Sequence, residues 1–461
     1  MKRSVVSIAL ATAVAGQLSA QSPAPLSDTD VKQILVDRID RDRQSIGIVV
    51  GLVGPTGRHV IAYGALDKGD IRPLNGDTIF EIGSVTKVFT SLLLADMAAR
   101  GEVALSDPIS KYLPPDVKAP MRNNQSITLT DLATHTSGLP RLPTNFTPTD
   151  PANPYADFSV PQLYQFLSTY TLSRDIGSQY EYSNLGGGLL GHLLARRAEM
   201  SYEALVRTRI TEPLRMTSTT ITLSPDQRAR LAVGHNAQLD RVANWDLPTL
   251  AGAGALRSSA NDMSTFVEAN LGLWTSPLAS VMGAMLTPRR PTGAPGLDIA
   301  LGWHILTRSG RNLVWHNGGT GGYRSFVGYD ATARLGVVVL SNTSTTAGVD
   351  DIGLHLLDSR NPLIEPAKAH TEVAANPKLF DGYVGRYELG PNFVLTISRD
   401  GDRLFLQATN QPRFELFAEG DKEYFLKVVE ARVTFVTDDN GHATAVVLHQ
   451  NGAHVTGKRV D

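Results

Sequence analysis

Cysteine is absent from all 461 residues of this chain. Its absence excludes disulfide bonds, a thiol nucleophile, cysteine-ligated zinc and a lipid-modified N-terminal cysteine. An excess of one charge is also absent, because 43 Lys and Arg stand against 45 Asp and Glu, and no segment concentrates basic residues. We therefore expect no nucleic-acid partner. The 11 His residues show no H-E-x-x-H or similar spacing, so we expect no metal and no other cofactor.

Long apolar runs are missing too, since no segment reaches the ~20 apolar residues that a membrane-spanning helix needs. The N-terminus instead has Lys2 and Arg3, an apolar stretch over residues 5–18, and two small residues after it. This order is typical of a secretory signal peptide, which we assign to residues 1–20, with an uncleaved anchor as the alternative. We expect an exported protein, periplasmic or secreted, with no membrane span in the mature chain.

The chain is long enough for two domains. Residues 21–360 predict an α+β domain. A helix over residues 27–39 precedes a hairpin over residues 46–63, helical segments broken by Pro and Gly fill residues 105–300, and short strands return over residues 313–341. We expect the late strands to pair with the early hairpin in one antiparallel sheet flanked by helices.

A second domain is predicted at the C-terminus. Residues 361–378 contain three prolines and little periodicity, which indicates a linker. Residues 379–461 contain short β-rich runs separated by turns such as Asp400-Gly401 and Asn440-Gly441. They predict a small all-β barrel or curved sheet. A stabilising or lid-like appendage is the favoured role, and independent ligand binding is the alternative.

The run Ser84-Val85-Thr86-Lys87 places a hydroxyl and an amine three residues apart. Residues 84–100 predict a helix, so the two side chains share one face. Ser84 would then lie at a helix N-terminus, which favours developing negative charge. These residues are candidates for a nucleophile and its base. The alternative is a capping serine beside a solvated lysine, because about one such spacing arises by chance in a chain of this size.

Two downstream segments supply candidate partners. Tyr182 and Asn184 lie in a loop before a glycine-rich helix. The phenol of a tyrosine near a lysine ammonium is favoured as its anion, which can take a proton from a serine. The amide of Asn184 can orient the lysine and a substrate. His316-Asn317-Gly318-Gly319 ends a predicted strand, where the Gly319 N–H and that of Ser84 are candidates for an oxyanion hole. His316 is a candidate to hold a substrate carboxylate or to polarise the tyrosine. A core tyrosine, a capping asparagine and a hairpin loop are the alternatives.

These three segments, in this order, resemble the serine β-lactamase and penicillin-binding hydrolase superfamily. Within it, residues 28–360 are similar to the class C β-lactamase branch, which also holds family VIII carboxylesterases, DD-peptidases and D-aminopeptidases. Residues 134–140, 212–216 and 253–263 resemble further segments of that branch, and the C-terminal unit resembles lipocalin-like domains.

The resemblance implies that Ser84 is acylated, that Lys87 and Tyr182 share proton transfer, and that Asn184 orients the substrate. His316-Asn317-Gly318 would replace the Lys-Thr-Gly of class C enzymes, and a histidine titrates near neutrality whereas a lysine stays charged.

The resemblance favours a class C-like β-lactamase acting on the β-lactam amide, without a cofactor. The alternatives are a D-Ala-D-Ala carboxypeptidase or D-aminopeptidase, a family VIII carboxylesterase, a penicillin-binding sensor that acylates and stalls, and a structural protein on an inactive scaffold. The loop over residues 141–157 is expected to determine specificity.

Overall fold

A computed structural model of the chain describes residues 26–461, except 309, 365–369, 391–392, 410, 428–430 and 451–452. The predicted signal peptide and part of the predicted linker therefore lie outside the described residues. Among the residues that are described, no helix has both the length and the hydropathy needed to cross a bilayer.

The helices and strands are numbered in chain order. The helices are α1 Asp28–Val36, α2 Thr86–Ala99, α3 Leu129–Ala133, α4 Val160–Thr169, α5 Asn184–Arg197, α6 Tyr202–Val206, α7 Pro225–Ala229, α8 Ala251–Gly254, α9 Ala260–Asn270, α10 Ala279–Ala284, α11 Asp350–Leu357 and α12 Phe380–Tyr383. The strands before the C-terminal region are β1 Gly47–Gly54, β2 Gly57–Gly64, β3 Ile79–Glu81, β4 Met121–Arg122, β5 Gln125–Ser126, β6 Arg257–Ser259, β7 Arg290–Pro291, β8 Leu297–Ile299, β9 His304–Arg308, β10 Arg311–Gly319, β11 Arg324–Asp330 and β12 Leu335–Ser341. The C-terminal strands are β13 Gly385–Gly390, β14 Phe393–Asp400, β15 Arg403–Ala408, β16 Arg413–Ala418, β17 Glu423–Phe425, β18 Arg432–Thr437, β19 Ala443–Gln450 and β20 Ala453–Arg459.

The main sheet has the strand order β2-β1-β12-β11-β10-β9-β8-β7. Strand β1 of the N-terminal hairpin pairs antiparallel with β12, with Ile48 opposite Ser341. The predicted α+β architecture, with one sheet built from both ends of the domain, is therefore confirmed. This pairing puts β10, which ends in His316 to Gly319, near the centre of the sheet.

Helices cover both faces of this sheet because successive residues of a strand point to opposite sides. On one face, Ile48 and Val50 pack into a core that includes residues of α1 and α11. On the other face, Val49 and Val338 join the larger core, which includes α2, α5 and α9. Helix α2 is consequently buried along almost its whole length, so that it holds its first turn rigidly.

The C-terminal strands β13 to β20 form a closed barrel, with β13 paired to β20. Its interior is filled by side chains, including Tyr383, Tyr387, Tyr424 and Phe435. The ring of Tyr383 stacks on that of Phe435 with centroids 4.2 Å apart. The predicted all-β unit is therefore confirmed as an eight-stranded closed barrel.

Candidate active site

Two glycines bring the turn that carries Ser84 against strand β10. Gly83 has φ +48°, and a Cβ built on it would lie 2.6 Å from the backbone nitrogen of Gly319. A Cβ built on Gly318 would lie 2.0 Å from the carbonyl oxygen of Ile82. Neither position therefore has room for a side chain. This close approach places Ser84 next to the Gly319 backbone.

Ser84 lies in a single 3-10 turn, Gly83–Val85, and α2 begins after it at Thr86. Lys87 Nζ lies 3.0 Å from Ser84 Oγ, 2.9 Å from Asn184 Oδ1 and 2.7 Å from the carbonyl oxygen of Ala253. The structure thus brings the predicted hydroxyl, amine and amide together. The carbonyl of Ala253, at α8, is a partner that the sequence did not predict.

Lys87 is almost completely enclosed, with only 3 % of its surface exposed. Burial, and then the charge of Arg141, hold the pKa of the Lys87 amine well below its ordinary value. Part of this enclosure comes from α5, where a Cβ on Gly187 would lie 2.9 Å from Lys87 Cε. The surroundings therefore favour the neutral amine, which is the form that accepts a proton.

Tyr182 lies beside the same amine, with Lys87 Nζ 4.8 Å from the centre of its ring. Burial raises the pKa of the Tyr182 phenol, and a hydrogen bond with Ser84 offsets only part of that rise. The expectation of an anionic tyrosine is therefore wrong, because lost hydration outweighs the attraction of nearby cations. Tyr182 is a phenol that is hydrogen-bonded to Ser84.

His316 lies beneath this tyrosine, with ring centres 6.4 Å apart, and its side chain is fully buried. Two more histidines lie close by. The ring centre of His304 is 5.2 Å from that of His316. The ring centre of His135 is 4.5 Å from that of Tyr182. Burial holds the pKa of His316 well below its ordinary value, and the charges of His304 and Lys87 lower it further. His316 is therefore neutral at neutral pH, unlike the titrating histidine that the sequence suggested.

The tautomer of His316 follows from one hydrogen bond. Its Nδ1 lies 2.5 Å from the carbonyl oxygen of Asn317, which can only accept, so Nδ1 carries the proton. Nε2 is then a lone-pair acceptor, and it is buried without a hydrogen-bond partner among the described residues. A neutral histidine in this state offers the site an acceptor and no charge.

A cleft opens in front of Ser84 and has a volume of about 230 Å³, part of it open solvent. Its walls include Tyr155, Trp245, Leu247 and Thr320, together with Asn184. Asn184 Nδ2 donates to the hydroxyl oxygen of Tyr155 at 2.9 Å. Tyr155 lies in the loop that was expected to determine specificity, whereas nothing in the sequence indicated Trp245.

All seven predicted site residues thus meet in one region: Ser84, Lys87, Tyr182, Asn184, His316, Gly318 and Gly319. Within the described part of the chain, no group of three or more His, Cys, Asp or Glu residues is placed to hold a metal ion.

Comparison with known families adds independent information. The family model described as Beta-lactamase matches residues 32–359. The chain belongs to the beta-lactamase family. A second model, for a domain of unknown function, matches residues 369–459.

The D-alanyl-D-alanine-carboxypeptidase/endopeptidase AmpH of Escherichia coli is 31% identical over 394 residues, covering 80% of this chain and 100% of that protein. A beta-lactamase of Escherichia coli is 28% identical, covering 69% of this chain and 90% of the relative.

Solved structures agree with this membership of the beta-lactamase family. A beta-lactamase/D-alanine carboxypeptidase from Yersinia pestis, complexed with citrate, has a TM-score of 0.60 at 26% identity, covering 69% of this chain and 95% of that one. A class C beta lactamase from Rhodobacter sphaeroides has a TM-score of 0.62 at 24% identity, covering 71% of this chain and 98% of that one, and supports the fold alone. The protein is therefore a hydrolase of the serine β-lactamase and carboxypeptidase superfamily.

Proposed function

We propose that the chain is an exported serine hydrolase that forms an acyl-enzyme at Ser84 and cleaves the amide bond before a C-terminal D-alanine in peptides. The observation that carries the acyl-enzyme is the hydrogen bond of 3.0 Å between Lys87 Nζ and Ser84 Oγ. The carboxypeptidase relative, matched over its whole length, supports the substrate class. Export rests on the N-terminal sequence pattern.

Lys87 is the proposed general base of acylation. A neutral amine has two N–H donors and one lone pair, which fits the three oxygens around Nζ. The two N–H groups donate to Asn184 Oδ1 and to the Ala253 carbonyl, while the lone pair accepts the hydroxyl proton of Ser84. Ser84 Oγ is thereby ready to attack the substrate carbonyl.

Tyr182 is the proposed proton carrier to the leaving group. When Oγ bonds to the carbonyl carbon, the negative oxygen lies against the N–H groups of Ser84 and Gly319. The Tyr182 hydroxyl gives its proton to the leaving nitrogen, the C–N bond breaks, and the Lys87 ammonium returns a proton to the tyrosine. Water then attacks the ester carbon and gives its proton to the same groups. The bond between this carbon and Ser84 Oγ breaks, Oγ takes the proton back from these groups, and the acid product leaves.

Asn184, His316 and Gly318 have supporting roles in this proposal. Asn184 fixes the amine and offers its amide to the substrate, since it bonds both Lys87 and Tyr155. Gly318 allows β10 to lie against the Ser84 turn. His316, whose ring centre lies 6.4 Å from that of Tyr182, is the proposed group that polarises the phenol.

The second candidate function is hydrolysis of the β-lactam amide, as in class C enzymes. The 28% identical beta-lactamase favours it, and the acylation step is the same. The absence of a lysine at position 316 favours the peptide, because class C enzymes are expected to use that charge. Short-chain ester hydrolysis requires the same nucleophile and is a further outcome of the test.

The test is to incubate the purified protein with a peptide ending in D-Ala-D-Ala, a chromogenic cephalosporin and a p-nitrophenyl ester. We expect the fastest amide turnover on the peptide, loss of all three activities in Ser84→Ala, and a trapped acyl adduct on Ser84 by mass spectrometry. The matched control is Ser178→Ala, an exposed serine whose hydroxyl bonds only the Asp175 carbonyl. Turnover that survives Ser84→Ala would refute the proposal, and labelling by a fluorescent penicillin without any turnover would favour a sensor.

A further inference from the structure

Arg141 is a cation next to the reactive groups that the proposed mechanism does not use. Its guanidinium carbon lies 5.3 Å from the centre of the Tyr182 ring, and the side chain is exposed. No carboxylate of the described residues forms an ion pair with Arg141. Its charge acts on Lys87, His135 and Tyr182, lowering the pKa of each. A positive charge therefore lies beside Tyr182, and no carboxylate of the described residues pairs with it.

The main chain holds Arg141 firmly in this place. Its carbonyl oxygen accepts the N–H of Asn184 at 3.0 Å and that of Leu185 at 3.1 Å. The hydroxyl of Ser183 donates to the carbonyl oxygen of Pro140 at 2.7 Å. These bonds tie the loop to the segment that carries Tyr182 and Asn184. The guanidinium is thus attached to a fixed point beside the nucleophile, although its side chain remains in solvent.

Three other cations of this region, Lys87, Arg257 and Arg324, form hydrogen bonds or ion pairs within the protein. Lys87 is enclosed by its three oxygen partners. Arg257 pairs with the buried Glu81 at 3.3 Å. The Nε of Arg324 donates to the carbonyl oxygen of Thr345 at 3.0 Å. Lys87 and Arg257 are thus held by oxygen atoms of the protein, whereas Arg324 forms no ion pair among the described residues, and a Cβ built on Gly319 would lie 2.1 Å from its Nη1.

His316 cannot take the place of a lysine toward a carboxylate. The ring is neutral and directs an acceptor lone pair from Nε2, whereas a carboxylate is itself only an acceptor. A guanidinium lying over an aromatic ring keeps its N–H edges free, and these edges match the two oxygens of a carboxylate. Arg141 therefore has the positive charge and the N–H donors that His316 lacks.

We propose that Arg141 binds the free carboxylate of the substrate and makes the enzyme specific for peptides whose leaving group ends in one. The proposal rests on the proposed function, since it names the residue that recognises the C-terminal D-alanine in the peptide. Arg141 is a specificity residue that contacts the substrate away from the bond that breaks.

The test compares two substrates that differ only in this carboxylate: diacetyl-L-lysyl-D-alanyl-D-alanine and the same peptide as its C-terminal amide. We expect Arg141→Gln to raise KM for the free acid about 10- to 100-fold, the usual range for a hydrogen bond to a charged group. The amide should lose much less activity, since it shares only the effect of removing the charge near Lys87, and Arg141→Lys should retain most of the preference for the free acid. The control is Arg289→Gln, an exposed arginine that bonds the Leu286 carbonyl.

A second measurement separates this proposal from the proposed function. N-acetyl-D-alanine should inhibit p-nitrophenyl acetate hydrolysis by the wild type and not by Arg141→Gln, whichever amide the enzyme cleaves. Equal loss on the free acid and the amide, or unchanged inhibition in Arg141→Gln, would overturn the role of Arg141. Ester hydrolysis without any peptide cleavage, but with inhibition that depends on Arg141, would refute only the peptide as substrate.

Discussion

At the scale of single residues, the amine of Lys87 has three oxygen atoms and very little water around it. A charged ammonium loses its hydration in such a place, and three neutral dipoles replace that hydration only in part. The low pKa of Lys87 is therefore a property of the helices that enclose it. Burial also raises the pKa of Tyr182, so both groups are shifted toward the protonation states that the proposed acylation requires.

Tyr182→Phe tests the proton transfer without removing the ring. The hydroxyl contacts Ser84, while the ring packs against His135 with centres 4.5 Å apart, so the variant should fold normally. We expect kcat for the peptide to fall about 10²- to 10⁴-fold with little change in KM, as is usual for loss of a general acid. Steady-state kinetics measure both.

Tyr170→Phe is the matched control, since this tyrosine stacks on Phe166 at the end of α4, away from the predicted motifs. A Tyr182→Phe enzyme with wild-type kcat would show that Lys87 completes proton transfer alone.

The spacing of Ser84 and Lys87 was predictable because it follows from helical geometry within one turn. The protonation states of Tyr182 and His316 were not, because they depend on burial by segments distant in the sequence. The sequence indicated Arg141 only as the first residue of the loop that was expected to determine specificity. Only its hydrogen bonds to the start of α5 reveal that it lies beside the nucleophile.

At the scale of secondary-structure elements, α5 packs closely against α2 and α8 through its glycines. A Cβ on Gly187 would lie 2.9 to 3.1 Å from three carbons of the Lys87 side chain. We expect Gly187→Ala to displace the amine and to lower kcat about 10- to 100-fold, the range seen for misplacement near 1 Å. Turnover of the peptide and a thermal melt of the variant measure the two consequences.

Gly283→Ala is the control for this substitution, because Gly283 lies in α10 with nothing within 4 Å of a built Cβ. There the greater helix propensity of Ala should raise stability by up to about 1 kcal/mol with unchanged activity. If Gly187→Ala behaves like Gly283→Ala, the packing of α5 does not position the amine.

Most element boundaries were predictable where short-range patterns decide them. Helix α1 lies within the predicted helix over residues 27–39 and begins at a capping box of Ser27 and Asp30, and β1 and β2 form the hairpin predicted over residues 46–63. Ser84 differs, because it lies in a 3-10 turn rather than in the α-helix, and contact with Gly319 imposes that turn. Strands β13 and β20 were missed because their alternation of burial arises only when the barrel closes.

At the scale of the whole molecule, three histidines from distant segments are buried together and neutral. Burial lowers the pKa of His304 to about 4 and holds the pKa values of His135 and His316 well below their ordinary value. Below pH 6.5 the unfolded chain binds protons on these histidines and the folded one does not. The free energy of unfolding should therefore fall as the pH drops from 6.5 toward 4.

Each such histidine contributes a slope of up to about 1.4 kcal/mol per pH unit. Asp350 acts in the opposite sense, because burial raises its pKa to about 6 and the folded state then binds the extra proton. We expect His304→Gln to reduce the net slope by up to about 1.4 kcal/mol per pH unit, because unfolding of the variant takes up about one proton fewer. Denaturant unfolding between pH 4.5 and 7.5 measures this slope. The wild type is measured under the same conditions, and an equal slope in His304→Gln and the wild type would contradict the prediction.

The architecture was predictable because the early hairpin and the late strands are both β-rich and lie on either side of a helical middle. The order of strands within the sheet was not, since pairing across such distances leaves no mark in a local pattern. The family resemblance was carried by short motifs. These motifs lie far apart in the sequence, and the fold brings them together around Ser84.

The pairing of β1 with β12 also has a kinetic consequence. Ser45 and Ser341 touch at a separation of 296 positions, so the sheet closes only when almost the whole catalytic region is available. Closing so long a loop has a large entropic cost, and contacts of this kind form slowly. The residues that meet at Ser84 come from segments on both sides of that closure. We therefore expect a chain that lacks β12 to be inactive, and the recovery of hydrolysis during refolding to follow the closure of the sheet.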